Sequence, residues 1–102
     1  MSDTHARGAF AASDDGERWT YDGTLTFENA ENVLEAARAL PLPTRGVADL
    51  AGLSHADSAA LAVLLALKRR AEAEGASIAY ASIPDSVVSL ARVYGVDHLV
   101  GI

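Results

Sequence analysis

The sequence predicts a small α/β domain: a mostly parallel β-sheet of about four strands, opened by an N-terminal hairpin and covered by three or four helices. Three observations carry this prediction. Phe10, Trp19 and Tyr21 flank the turn signal Asp14-Asp15-Gly16-Glu17, as aromatic residues do on a paired, pleated surface. Two short apolar segments, Gly46–Leu50 and Ser77–Ala81, are each followed by a stretch of helical character, the alternation that builds β-α-β units. The chain has 102 residues, of which 50% are hydrophobic and 22% charged, which suits one domain with one core.

Residues Met1–Arg7 read as a frayed polar terminus, leaving 8–102 as the domain. Phe10–Ser13 and Arg18–Asp22 pair as an antiparallel hairpin, and Leu25–Phe27 continues the second strand beyond a bend at Gly23. Asp22-Gly23 is a competing turn that would instead pair Arg18–Tyr21 with Thr24–Phe27. Asn29 is placed to cap a helix, Glu31 suits its positive end, and Val33, Ala37 and Leu40 give it one apolar stripe. Pro41 and Pro43 end it.

Gly46–Leu50 then reads as a short buried parallel strand and Ala51–Asp57 as a loop. Ser58–Glu74 is rich in strong helix formers, carries Lys68, Arg69 and Arg70 in its second half, and ends at Gly75. After the strand Ser77–Ala81, Pro84 takes the first position of a helix whose stripe is Val87, Leu90, Ala91 and Tyr94, ended by Gly95. Val96, Leu99, Val100 and Ile102 form an apolar tail expected to pack back on the core.

Composition excludes several functions. The formal charge of -6 argues against nucleic acid, whose phosphates require clustered Lys and Arg, and weakly against direct binding to an anionic membrane surface. The acidity is uneven: residues 1–35 carry all of it, and residues 36–102 are neutral overall. With no Cys, disulfides, thiolate metal sites and cysteine nucleophiles are excluded. The first 17 residues lack the apolar core of a secretory signal. The longest strictly apolar run, Ala59–Leu67, falls far short of the roughly 20 residues that span a bilayer. His5, His55 and His98 are too scattered to set up a metal site.

The densest polar cluster is Ser54-His55-Ala56-Asp57-Ser58. Neighbours on one loop do not converge as nucleophile, base and orienting group, and no G-x-S-x-G elbow is present, so a hydrolase is not the reading. Asp57 or Ser58 instead caps the helix that follows. Nucleotide or small-ligand binding at this loop has no motif behind it. From Ala59 to Leu67 that helix is apolar on every side, which leaves two readings open: a helix wedged between the sheet and its neighbours, or one with a spare apolar face that docks on another protein.

The stretch Val47–Leu65, with its Asp49-Leu50 strand end, short loop and Asp57-Ser58 opening a long apolar helix, resembles the signature of STAS domains. That family includes sulfate-transporter tails and anti-sigma-factor antagonists. The likeness covers about residues 8 to 100. Within the family, Pro84–Val96, with its Leu90-Ala91-Arg92-Val93-Tyr94 pattern, is most similar to the MlaB-like members that serve Mla phospholipid-transport ABC systems. The resemblance implies a STAS-like fold and a non-enzymatic, cytoplasmic binding subunit, without cofactor or metal, peripheral to the inner membrane through its partner. That partner would be the transporter ATPase. The implied contact is Ser58 with Asp57, His55, Ala59, Leu61 and Ala62, and with Arg92 and Tyr94 at the rim. The alternative implied role is an anti-sigma-factor antagonist, with Ser58 phosphorylated by a partner kinase. STAS helices commonly carry Gly just after the Ser or Thr, where this chain has Ala59 and Ala60, which crowds a kinase's approach. Pairing of the isolated domain as a homodimer through the same apolar face is left open.

Overall fold

The computed structural model describes residues 8–102. The expected frayed terminus at 1–7 lies outside them. The chain forms β1 (Gly8–Ala12), β2 (Arg18–Leu25), α1 (Ala30–Arg38), β3 (Val47–Ala56), α2 (Ser58–Ala73), β4 (Ala79–Ala81), α3 (Asp85–Val93) and α4 (Asp97–Val100). The four strands stand in the sheet in the order β1-β2-β3-β4. β1 and β2 are antiparallel, and the other two pairings are parallel. This is the small, mostly parallel α/β domain that the element order predicted.

The hairpin pairs as expected, with Phe10 opposite Tyr21 and Ala12 opposite Trp19. Its turn is closed by Ser13 N–H donating to the Arg18 carbonyl at 2.8 Å, and Gly16 takes φ +72, which a side chain would resist. The Asp15 carboxylate accepts from the Ser13 hydroxyl and the Glu17 N–H. The competing Asp22-Gly23 turn does not form, because both residues lie within β2.

Side chains alternate across the sheet. Phe10, Trp19, Tyr21, Leu25, Ala48, Leu50 and Tyr80 face the core, while Thr20 and Asp22 face outward. Both parallel crossovers step in the same direction along the sheet. Right-handed connections therefore place α1 and α2 on one face, and Val87, Ala91 and Val100 of α3 and α4 join the same core. Trp19 is fully buried and its ring N–H donates to the Pro41 carbonyl at 3.0 Å, fixing the segment after α1 to the sheet.

Two expectations are corrected. Ala51–Ala56 is strand, not loop: β3 has ten residues against eight in β2, and register shifts between Thr20/Asp22 and Gly23/Thr24 absorb the excess. Those irregularities break the alternation that marks a strand in sequence. Gly52 sits at one of them, where an added Cβ would press on the Tyr21 carbonyl and the Asp22 backbone. Conversely, β2 stops at Leu25, and Thr26-Phe27-Glu28 is a turn into α1. The apolar tail packs back as expected, through α4, with Val100 fully buried.

Candidate functional site

The N-terminus of α2 lies beyond the C-terminal end of β3, and Asp57 fixes it there. The Asp57 backbone is extended, and its Oδ1 accepts the Ala59 N–H at 2.9 Å, which is helix N-capping. The second oxygen, Oδ2, accepts the Phe27 N–H at 3.1 Å across the sheet end. One carboxylate thus joins the start of α2 to the β2–α1 turn.

That turn is held on its own side by a buried polar network. The Asn29 side chain accepts from Thr26 N–H at 2.9 Å and donates to the Thr24 carbonyl at 2.8 Å. The Thr26 carbonyl accepts the N–H groups of Asn29 and Ala30. Asn29 therefore stands at the N-cap position of α1, as expected, but its side chain secures the turn rather than capping the helix. The outcome is that Phe27 is 89% exposed on a fixed backbone beside Ser58's helix.

Ser58 is exposed at the first position of α2, and Ala62, one turn on, is exposed as well; Ala59 is half-buried. Leu61 departs from expectation. It is 4% exposed, because α2 lies between α1 on one side and α3 and α4 on the other, and Leu61, Leu64 and Leu67 are absorbed into the core. The wedge reading of this helix thus accounts for its leucines, and Leu61 offers no surface to a partner. The first turns of α2 leave Ser58 and Ala62 exposed; the half-buried Leu65 and Ala66 follow on the same side, and Arg69 is exposed beyond them.

His55 is exposed near the end of β3, opposite Thr24. Both Asp57 oxygens are engaged by backbone N–H groups, and among the described residues no hydrogen bond joins His55 to Asp57 or Ser58. Arg92 and Tyr94 are exposed but stand elsewhere, in and just after the last turn of α3. The short helix that follows ends with Gly101 near the Lys68 ammonium group, about 15 Å along α2 from Ser58 at the usual rise. Val93 and Leu99, in α3 and α4, are exposed as well. Phe27 is the residue that sequence reasoning missed at the α2 site. Its one signal is a large aromatic lodged immediately before Glu28-Asn29, where the chain turns into a helix.

A family model described as "Mlab, STAS domain" matches residues 9–101. The chain belongs to the MlaB-like STAS domain family. Comparison with curated proteins gives no match. The match runs from within β1 to just past the end of α4. Among its described residues no helix is long and apolar enough to cross a membrane, and no group of three or more His, Cys, Asp or Glu is arranged to hold a metal ion.

Proposed function

We propose that this STAS domain is a non-enzymatic subunit that docks on the ATPase of an Mla-type phospholipid ABC transporter through the start of α2, and supports its assembly or activity. One observation carries the reading. Ser58 and Ala62 are small and exposed, and the exposed Phe27 belongs to a turn whose backbone is tied to the α2 cap. Small residues allow close approach of a partner, a hydroxyl supplies one directional hydrogen bond, and an aromatic supplies the apolar anchor that dominates many interfaces. The likeness to MlaB-type STAS domains supports the choice of partner.

The test is Ser58→Arg. Ser58 is exposed, so the variant folds with an unchanged circular dichroism spectrum, and the added bulk abolishes co-purification with the ATPase encoded by the same source. Undiminished co-purification would overturn the contact. A second reading, an anti-sigma-factor antagonist, is favoured by the exposure of the Ser58 hydroxyl at a helix start. Phosphorylation there would add a charge of about -2 beside the Asp57 carboxylate and expel the domain from an apolar interface. Intact-mass measurement after incubation with the source's serine kinases decides it: an unmodified Ser58 sinks this second reading.

A further inference from the structure

Three of the eight basic residues of this acidic chain meet in one groove. It lies between α1 and the second half of α2 and has a volume of about 430 Å³. Leu34, Ala66 and Leu67 give it an apolar floor, and Arg38, Arg69 and Arg70 line it, with Glu74 the single acid of the fourteen in the chain.

The three guanidinium groups differ in freedom. Arg70 is pinned: Nη1 donates to the Ala37 carbonyl at 2.8 Å, Nη2 to the Leu40 carbonyl at 2.7 Å, and Nε to Glu74 at 2.9 Å. Among the described residues Arg38 is held only by Glu35, in a pair whose side chains are 63% and 73% exposed, so a better acceptor displaces it at little cost. Arg69 is exposed and has no hydrogen bond or ion pair among the described residues. It also stands on the same side of α2 as Ser58 and Ala62.

We propose that the groove receives an acidic, partly apolar segment of the same ATPase partner, with its carboxylates on Arg38 and Arg69 and its apolar side chains on Leu34 and Ala66. This rests on the docking reading above and extends its footprint down α2, roughly 16 Å from Ser58 by the helix rise. Charge complementarity selects the occupant, since three arginines and one acid line this groove in a chain whose fourteen acids outnumber its eight Lys and Arg. The planar guanidinium fork fits carboxylates in pairs. The apolar floor distinguishes a peptide segment from a compact anion, which would leave that floor uncovered.

The experiment measures affinity of the full chain for the ATPase at low and raised sodium chloride, for wild type, Arg38→Glu/Arg69→Glu, Ser58→Arg and the control Arg45→Glu. Arg45 pairs with Glu17 away from the groove. The double reversal lowers affinity roughly tenfold or more and flattens the salt dependence, while Arg45→Glu binds as wild type. Wild-type binding by the double reversal, with Ser58→Arg inactive, overturns the groove and leaves the docking reading standing. Wild-type binding by both variants overturns both. Loss of binding by the double reversal alone keeps the groove and removes the Ser58 contact. Competition by inorganic phosphate beyond that of sodium chloride at equal ionic strength overturns the carboxylate assignment in favour of a phosphate site.

Discussion

Asp57 shows how much one side chain decides. Its two oxygens serve two segments about thirty positions apart in the chain, the first turn of α2 and the backbone of Phe27. Asp57→Ala removes the cap and frees the turn, and is expected to lower stability by about 1 kcal/mol, read as a shift in urea midpoint at constant m-value. Asp57→Ser retains the capping hydrogen bond and recovers much of that loss, but does not reach Phe27. If Asp57→Ala matches wild type in stability, the cap contributes nothing and the helix start is held by packing alone. At this scale the sequence was informative where a residue acts on its near neighbours: Asp57 or Ser58 as cap, Gly16 in the turn. It was silent on Phe27, whose exposure depends on a carboxylate far along the chain.

At the scale of elements, α1 and α2 share the core, and Arg70 adds hydrogen bonds between them. Its guanidinium spans the carbonyls of Ala37, which also accepts the Leu40 N–H, and of Leu40, just past the end of α1. Arg70→Ala is expected to cost about 1–3 kcal/mol in chemical denaturation, since it leaves the Leu40 carbonyl without its donor and removes two further hydrogen bonds. Arg70→Lys recovers little, because a point charge cannot bridge two carbonyls. Equal stability of the Lys variant and wild type would show that charge, not the fork, is what matters. Element types and order were legible from periodicity and from Pro41, Pro43 and Pro84. The second half of β3 was not, because two register shifts and Gly52 remove the alternation by which strands are recognised. Nor does a helix apolar on every side reveal which side its neighbours take, and that is why Leu61 read as surface. The groove was hidden for a different reason: Arg38 and Arg69 meet only after α1 and α2 pack.

For the whole molecule, the buried phenols set an alkaline limit. Burial pushes the Tyr21 hydroxyl up to about 12 against the opposing effect of its Asn29 hydrogen bond, and burial raises Tyr80, which donates to the Leu64 carbonyl, further still. The unfolded chain releases these protons near pH 10, so the folded state binds more protons above that pH. The contribution of Tyr21 to stability is therefore complete below about pH 10 and is lost as pH rises through 12, while that of Tyr80 persists to higher pH. Urea midpoints measured from pH 8 upward should hold level and then fall, and Tyr21→Phe should shallow the fall. A midpoint that declines identically in both proteins would remove Tyr21 from the account.

The strands stand in the sheet in the order in which they are synthesised. Each one meets its partner in the strand just made, so no pairing waits for a distant segment and the loops to be closed stay short. By the time α2 leaves the ribosome, the hairpin, α1 and the long β3 already supply a three-stranded surface for it to settle on, and β4 adds only three residues to that surface. This topology permits assembly during translation, from the acidic end toward the neutral one. The charged, self-repelling segment is thus made before the apolar helix, which settles on the sheet and α1 first and is covered on its other side once α3 and α4 follow.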